Sequence, residues 1–334
     1  MISVLHHALR ESLKLWAVRE SRLLIGVSGG ADSVALLRGL VDLQDEFSFR
    51  LAVAHYDHAL RTESSEDARW VKELCESLQL PCFSERRPVT SEDQNLPEES
   101  ARRLRYEFLT KVALAQNCRF VAVAHTADDQ VETVFHHLIR GTGLAGLSGI
   151  PSERPLTENI TLIRPLRNVR RSELVAALAE WNQPFLTDSS NTDRRYTRNR
   201  IRHDLLPQLR EKLNPQVDEA LLRLSVQAME AQDVIRQLAD ELLSRASLDV
   251  QPCSIRLNRV PFEASPLLVV REALRQLWER GGWPRQNLSF SHLDQLAGML
   301  KTGAPSRVCL PQGVEAICRG SLLELRRDRD NCEL

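Results

Sequence analysis

Residues 24–33 read Leu-Ile-Gly-Val-Ser-Gly-Gly-Ala-Asp-Ser: an apolar run, a Ser-Gly-Gly turn, and then the apolar segment 34–40. A strand led through a glycine turn into a helix stacks unpaired backbone N–H groups around a space for anionic oxygens. Ser28 and Ser33 add hydroxyl donors, while Gly29 and Gly30 allow positive φ and the close approach of a phosphate. Asp32 is the odd member. A carboxylate beside a phosphate repels it unless a cation stands between them, and Mg²⁺, held by one or two carboxylates plus phosphate oxygens, is the usual mediator. The Walker A pattern fails because no Gly-Lys pair occurs in the chain, and GxGxxG fails because the two glycines are adjacent.

Three further constellations carry chemistry. His125-Thr-Ala-Asp-Asp-Gln-Val-Glu-Thr133 leaves a strand and enters a helix, placing Asp128 and Asp129 near a helix N-terminus with Glu132 a turn later. Capping explains one of these acids; two, on the same rim as Asp32, point to a metal-phosphate site. His55-Tyr-Asp-His-Ala-Leu-Arg61 has no HExxH or cysteine partner for zinc. Its histidines either contact nucleotide or satisfy hydrogen bonds at a strand end. Pro97-Glu-Glu-Ser-Ala-Arg-Arg-Leu-Arg-Tyr106 opens a helix in which Arg102 and Arg105 share a face, and Arg102 is the one expected to meet a phosphate.

Arginine is clustered elsewhere too. Only five of 44 basic residues are lysine, and a GC-rich genome accounts for some of that bias. Arg164, Arg167, Arg170 and Arg171 form one group; Arg194, Arg195, Arg198, Arg200 and Arg202 form another, near Asp188-Ser-Ser-Asn191. Arginine is the better fork for phosphate, and such stripes let a near-neutral protein (net charge −1) hold a polyanion. The second group is expected to grip a ribose-phosphate backbone or an adenylate.

The elements that must position these residues alternate. Strands are expected at 23–27, 51–55, 81–85, 120–124 and 160–165, with helices around 33–44, 64–79, 97–116 and 127–139. That alternation gives an α/β fold with a parallel, doubly wound sheet, whose ligands bind beyond the carboxyl ends of the strands. The polar clusters after positions 27, 54 and 124 then fall on one rim. The glycine-rich stretch 141–155 reads as a loop or flap. A long amphipathic helix at 216–246 leads to helices at 266–280 and 289–300 and three short strands at 307–310, 314–318 and 322–325. The expected division is a catalytic domain at 1–210, a helical linker at 211–250 and a smaller α+β domain at 251–334.

No apolar run approaches a membrane span, residues 1–20 are too charged for a secretory signal, and seven cysteines without a CxxC pair suit a reducing cytoplasm better than a disulfide framework. A homodimer is compatible with the sequence, though nothing in it requires one.

The SGGxDS turn resembles the pyrophosphate loop of the ATP pyrophosphatases, which cleave ATP between the α and β phosphates. Joined to HYDHALR, EESARRLRYEFL, HTADDQVET, the loop at 140–149, Arg164-Pro165-Leu166, Asp188–Asn191 and RNRIRHDLLP, the pattern closely resembles the tRNA(Ile)-lysidine synthase family. The resemblance implies an adenine nucleotide α-hydrolase-like catalytic domain, a helical linker and a C-terminal tRNA-binding domain; longer members carry a further C-terminal domain. It implies ATP and Mg²⁺, free L-lysine, and isoleucine tRNA with a CAU anticodon. The wobble cytidine would be adenylated and then attacked by lysine, releasing pyrophosphate and AMP. On these positions, Ser28, Gly29, Gly30, Ala31, Asp32, Ser33, His55 and His125 would bind ATP; Asp32 and Asp129 would hold the metal. Asp32, Asp128, Asp129, Arg102 and Arg200 would carry catalysis, and Arg194, Arg195, Arg198, Arg200 and Arg202 would bind tRNA. A tRNA thiolase of the same superfamily normally needs paired cysteines, and a nonenzymatic nucleotide sensor would not need intact acids at 32, 128 and 129.

Overall fold

The computed structural model describes residues 1–59, 64–87, 98–187, 194, 197–284 and 287–328. The chain divides into two compact units, Met1–Val226 and Gln227–Leu334. The division falls inside one long helix, later than the expected end of the catalytic domain at 210.

The first unit runs α1 (Ile2–Leu15), β1 (Arg22–Gly26), α2 (Ala31–Asp42), α3 (Gln44–Phe47), β2 (Arg50–Asp57), α4 (Ser64–Ser77), β3 (Cys82–Arg86) and α5 (Glu98–Ala115). It continues with β4 (Phe120–Ala122), α6 (Ala127–Ile139), α7 (Leu144–Leu147), β5 (Glu153–Pro155), β6 (Thr161–Ile163), α8 (Arg171–Glu180), α9 (Thr197–Arg200) and α10 (Leu206–Lys212), and α11 (Val217–Ser244) crosses into the second unit. The strand order is β3-β2-β1-β4-β6-β5. Every pairing is parallel except that of β5 with β6.

The two-residue period of β1 assigns its side chains to the two faces. Leu23 and Ile25 join α1, α2 and α8 residues such as Leu9, Leu36 and Leu178 in one core. Leu24 points the other way and packs with Leu109 and Val112 of α5. In α1, Leu5, Leu9 and Leu13 recur every fourth residue and are fully buried. Each such burial contributes roughly 1.5–3 kcal/mol. Helices on both faces of a mainly parallel sheet make the doubly wound, adenine nucleotide α-hydrolase-like fold.

The second unit adds β7 (Asp249–Gln251), β8 (Ser254–Asn258), α12 (Leu267–Arg280), α13 (Phe290–Thr302), β9 (Arg307–Leu310), β10 (Val314–Arg319) and β11 (Leu322–Arg327). Its sheet is antiparallel throughout, in the order β7-β8-β11-β10-β9. Trp278 and Trp283 meet edge-on at 5.1 Å in its core. Their indole N–H groups donate to Pro284 and Pro252 carbonyls, so neither is left unpaired. Cys253 is disulfide-bonded, against the expectation of thiols throughout. Among the described residues no helix is long and apolar enough to cross a membrane.

Candidate active site

The turn after β1 is held by its own side chains. Ser33 Oγ donates to the Gly30 carbonyl at 2.9 Å and accepts from the Ser28 N–H at 3.2 Å, and the two serine hydroxyls lie 3.2 Å apart. Gly29 has φ +91°, and a Cβ there would stand 2.6 Å from Leu186 Cδ1. Glycine is required at 29 on both counts. Leu186 N–H donates to the Gly29 carbonyl at 2.9 Å, splicing the segment after α8 to the turn. Gly30 caps α2 without a side chain, and the N–H groups of Ala31, Asp32 and Ser33 in its first turn have no acceptor among the described residues. They form the anion cradle the sequence implies.

Asp32 leads that helix. Its side chain is 23% exposed, its Oδ1 is buried without a hydrogen-bond donor, and Arg171 Nε stands 3.7 Å away. Burial raises its pKa to about 6; Arg171 opposes the shift, and Asp129 and Asp128 reinforce it.

Asp129 is more fully engaged. It closes a capping box with Thr126, its Oδ2 accepting from the Thr126 N–H at 2.8 Å and hydroxyl at 3.0 Å. Its Oδ1 accepts from Arg198 Nη2 at 2.6 Å. Burial works against its charge, but Arg198, the Thr126 N–H and Arg202 outweigh that and hold it below the usual carboxylate range. Glu132, one turn on and almost fully buried, accepts from Arg198 Nε at 2.8 Å, Arg202 Nη2 at 3.0 Å and Arg202 Nε. Asp128 Oδ2 accepts from the Arg171 N–H at 2.8 Å. The acids at the head of α6 are thereby tied to the start of α8 and to the arginine segment.

The two histidines differ. His55 is buried, and its Nδ1 donates to the Val27 carbonyl at 2.9 Å, bracing the strand end before the turn. At His125 the polarity is reversed: Arg164 Nε donates to Nδ1 at 3.2 Å, so the ring carries its proton on Nε2. Burial, and then the charges of Arg164, Arg105 and Arg102 acting against Asp129, pull its pKa down to about 3. Arg164 Nη1 also donates to the Pro151 carbonyl at 2.8 Å.

Turn residues 28–33, Asp128, Asp129 and His125 thus meet at the carboxyl rim of the sheet. Arg102 lies on the α5 side, 5.4 Å from the Tyr106 ring. Arg198 and Arg202, expected on RNA, turn onto Asp129 and Glu132. Arg200 is exposed between them, and Arg194 is exposed 3.3 Å from Asp204. A spacing of four puts 198 and 202 on one helical face and 200 opposite. Arg61, Asp188–Asn191 and Arg195 lie outside the described residues. The expected stripe at 164–171 is dispersed onto separate partners, with Arg170 on Asp218 and Glu219, Arg171 on Asp32 and Arg164 on His125.

Sequence reasoning left Gln130, Arg171 and Leu186 out of the site. Gln130, fully buried, donates to the Ser148 carbonyl at 2.8 Å and accepts from the Ile150 N–H at 2.7 Å, pinning the glycine-rich loop to α6. Thr126-x-x-Asp129 is a capping-box signal that the sequence carries; Arg171 and Leu186 reach the site by long-range pairing that has no local signature.

Fold and site together define an ATP-using enzyme of the pyrophosphate-loop class, and a PP-loop domain model matches residues 3–209. The tRNA(Ile)-lysidine synthase of Nostoc sp. is 35% identical over 325 residues, covering 91% of each chain. That of Thermosynechococcus vestitus is 34% identical over 97% of this chain and 92% of its own. The chain belongs to the tRNA(Ile)-lysidine synthase family, ATP-dependent ligases that form a C–N bond. The U34-tRNA thiolase NcsA from Methanococcus maripaludis, solved with its [4Fe–4S] cluster, shares the fold, with a TM-score of 0.58 at 15% identity over 69% of this chain and 80% of its own.

Proposed function

We propose that this chain converts the wobble cytidine of CAU-anticodon isoleucine tRNA to lysidine. The cytidine 2-carbonyl oxygen attacks the α-phosphorus of ATP and pyrophosphate leaves. The neutral ε-amine of free lysine then attacks the activated ring carbon, a proton is lost from nitrogen, and AMP leaves. Such transfer needs positioning and charge neutralisation more than a protein nucleophile. The reaction suits the cytoplasm, where tRNA, ATP and lysine coexist.

The observation that carries the reading is the buried Asp32 Oδ1, which has no hydrogen-bond donor at the head of an open anion cradle. An orphaned carboxylate oxygen beside a phosphate site fits a divalent cation. Asp32 would hold Mg²⁺, with Asp129 contributing where Arg198 leaves it free; the ion would neutralise charge on the phosphates. Ser28 to Ser33 bind the departing pyrophosphate through N–H and hydroxyl groups. Arg102 and Arg200 offset developing negative charge, and His125 presents a fixed N–H. The segment 194–203 and the unit Gln227–Leu334 are the candidates for telling this tRNA from methionine tRNA with the same anticodon, by shape and backbone contacts.

Incubation with labelled lysine, ATP and the isoleucine tRNA tests this directly. The expected result is lysine label in the RNA with one AMP and one pyrophosphate per lysine. Label that does not depend on ATP, or AMP formation without lysine entering RNA, would reject the reaction.

A further inference from the structure

The glycine turn serves the face of the sheet covered by α2. On the face covered by α5, arginines converge on one ring. Arg102, Arg105 and Arg154 stand 5.4, 5.1 and 4.7 Å from the ring centroid of buried Tyr106. Arg164 is close enough for its charge to act on the Tyr106 hydroxyl. A π-face attracts one cation, but several around one ring repel each other. On α5 their neighbours Arg103 and Lys111 have the carboxylates of Glu107 and Glu85. None of the four has a carboxylate partner among the described residues.

Two buried polar atoms in the same place also have no hydrogen-bond partner, Arg105 Nε and His58 Nδ1, and the Tyr106 hydroxyl faces only the cations of Arg105 and Arg164. The charge of Arg105 reaches His58 as well. Arg Nε–H and Tyr O–H both donate, and buried donors rarely stay unpaired in native proteins. A cluster rich in donors and cations, with no carboxylate paired to it among the described residues, is complementary to an oxyanion.

We infer that Arg105, Arg154 and Tyr106 form a second anion subsite, which takes a backbone phosphate of the RNA strand carrying the reacting base. This rests on the proposed reaction for the identity of the RNA. The nucleotide already has its cradle on the α2 face. Arg154 is exposed on the edge strand β5, open to a polymer passing along the rim. Arg164 joins the subsite to His125, and so to the rim where the base must react.

The test uses the full chain and an unmodified transcript of the tRNA, with affinity measured from about 50 to about 200 mM salt. Arg154→Gln and Arg105→Gln should each weaken binding several-fold and flatten the slope of log affinity against log salt by about 0.7 for a single-stranded contact. Arg105→Lys, which keeps the charge, should restore the slope. The KM for ATP in pyrophosphate release should stay unchanged in Arg154→Gln. Wild-type affinity and slope in both glutamine variants, or a loss confined to KM for ATP, overturns the subsite. Lysine incorporation by the unaltered enzyme is scored separately, so failure of the reaction is distinguishable from failure of the subsite.

Discussion

Arg171 Nε stands 3.7 Å from Asp32 Oδ1, near enough for attraction between charges and too far for a hydrogen bond. Asp32 is thereby left buried, weakly countered and reluctant to ionise.

The consequence is a pH-dependent cost. The native state binds a proton at Asp32 up to about pH 6, against 3.8 for the ordinary side chain, so it holds more protons than the unfolded chain between those values. The stability this provides is complete below the lower value and is lost as pH rises through the upper. Asp32→Asn should therefore be more stable than the parent at pH 8, by up to about 3 kcal/mol, and equal to it near pH 4. Urea unfolding at the two pH values measures this. The same variant should lose AMP formation and keep its affinity for tRNA; unchanged turnover would remove Asp32 from the metal-phosphate site.

Gly29→Ala meets two obstacles, positive φ and Leu186 Cδ1 at 2.6 Å. A loss of roughly 1–3 kcal/mol is expected, with pyrophosphate release impaired. Adding Leu186→Ala should recover the steric part and leave the backbone part, as a double-mutant cycle in denaturant would reveal.

Glu132→Ala strands Arg198 and Arg202 beside Asp129. Breaking a buried pair on one side costs about 3–5 kcal/mol. Arg200→Ala, an exposed neighbour, should change stability by less than about 0.5 kcal/mol. Equal losses in the two variants would contradict the assignment of faces.

Gln130→Leu leaves the Ser148 carbonyl and the Ile150 N–H without their partners. A loss of about 1–3 kcal/mol is expected, with faster proteolytic cleavage within 140–149 than in the parent. Cleavage at the parental rate would show that the loop is held by other contacts.

The sheet was legible because its strands are apolar runs bounded by polar clusters, and Leu23, Leu24 and Ile25 are buried on both faces as a parallel strand requires. Strand β5 escaped because Glu-Arg-Pro is short, charged and ends in proline, as edge strands can. The β7–β8 hairpin escaped because one arm has only three residues. At the site, Ser28 to Ser33 and the Asp128-Asp129 pair announce themselves by local spacing. The choice among Arg198, Arg200 and Arg202 depends on which helical face meets α6, and a dense arginine run is silent about that.

The bond from Arg164 to His125 makes the imidazole a giver rather than a receiver. Whatever meets its far nitrogen must bring a lone pair. A pyrimidine carbonyl or a phosphoryl oxygen is welcome there, and an alkylammonium is turned away. Because the ring resists protonation until far below neutrality, Nδ1 keeps the lone pair that Arg164 needs, and the bond that orients the ring persists across the whole pH range in which a cell lives.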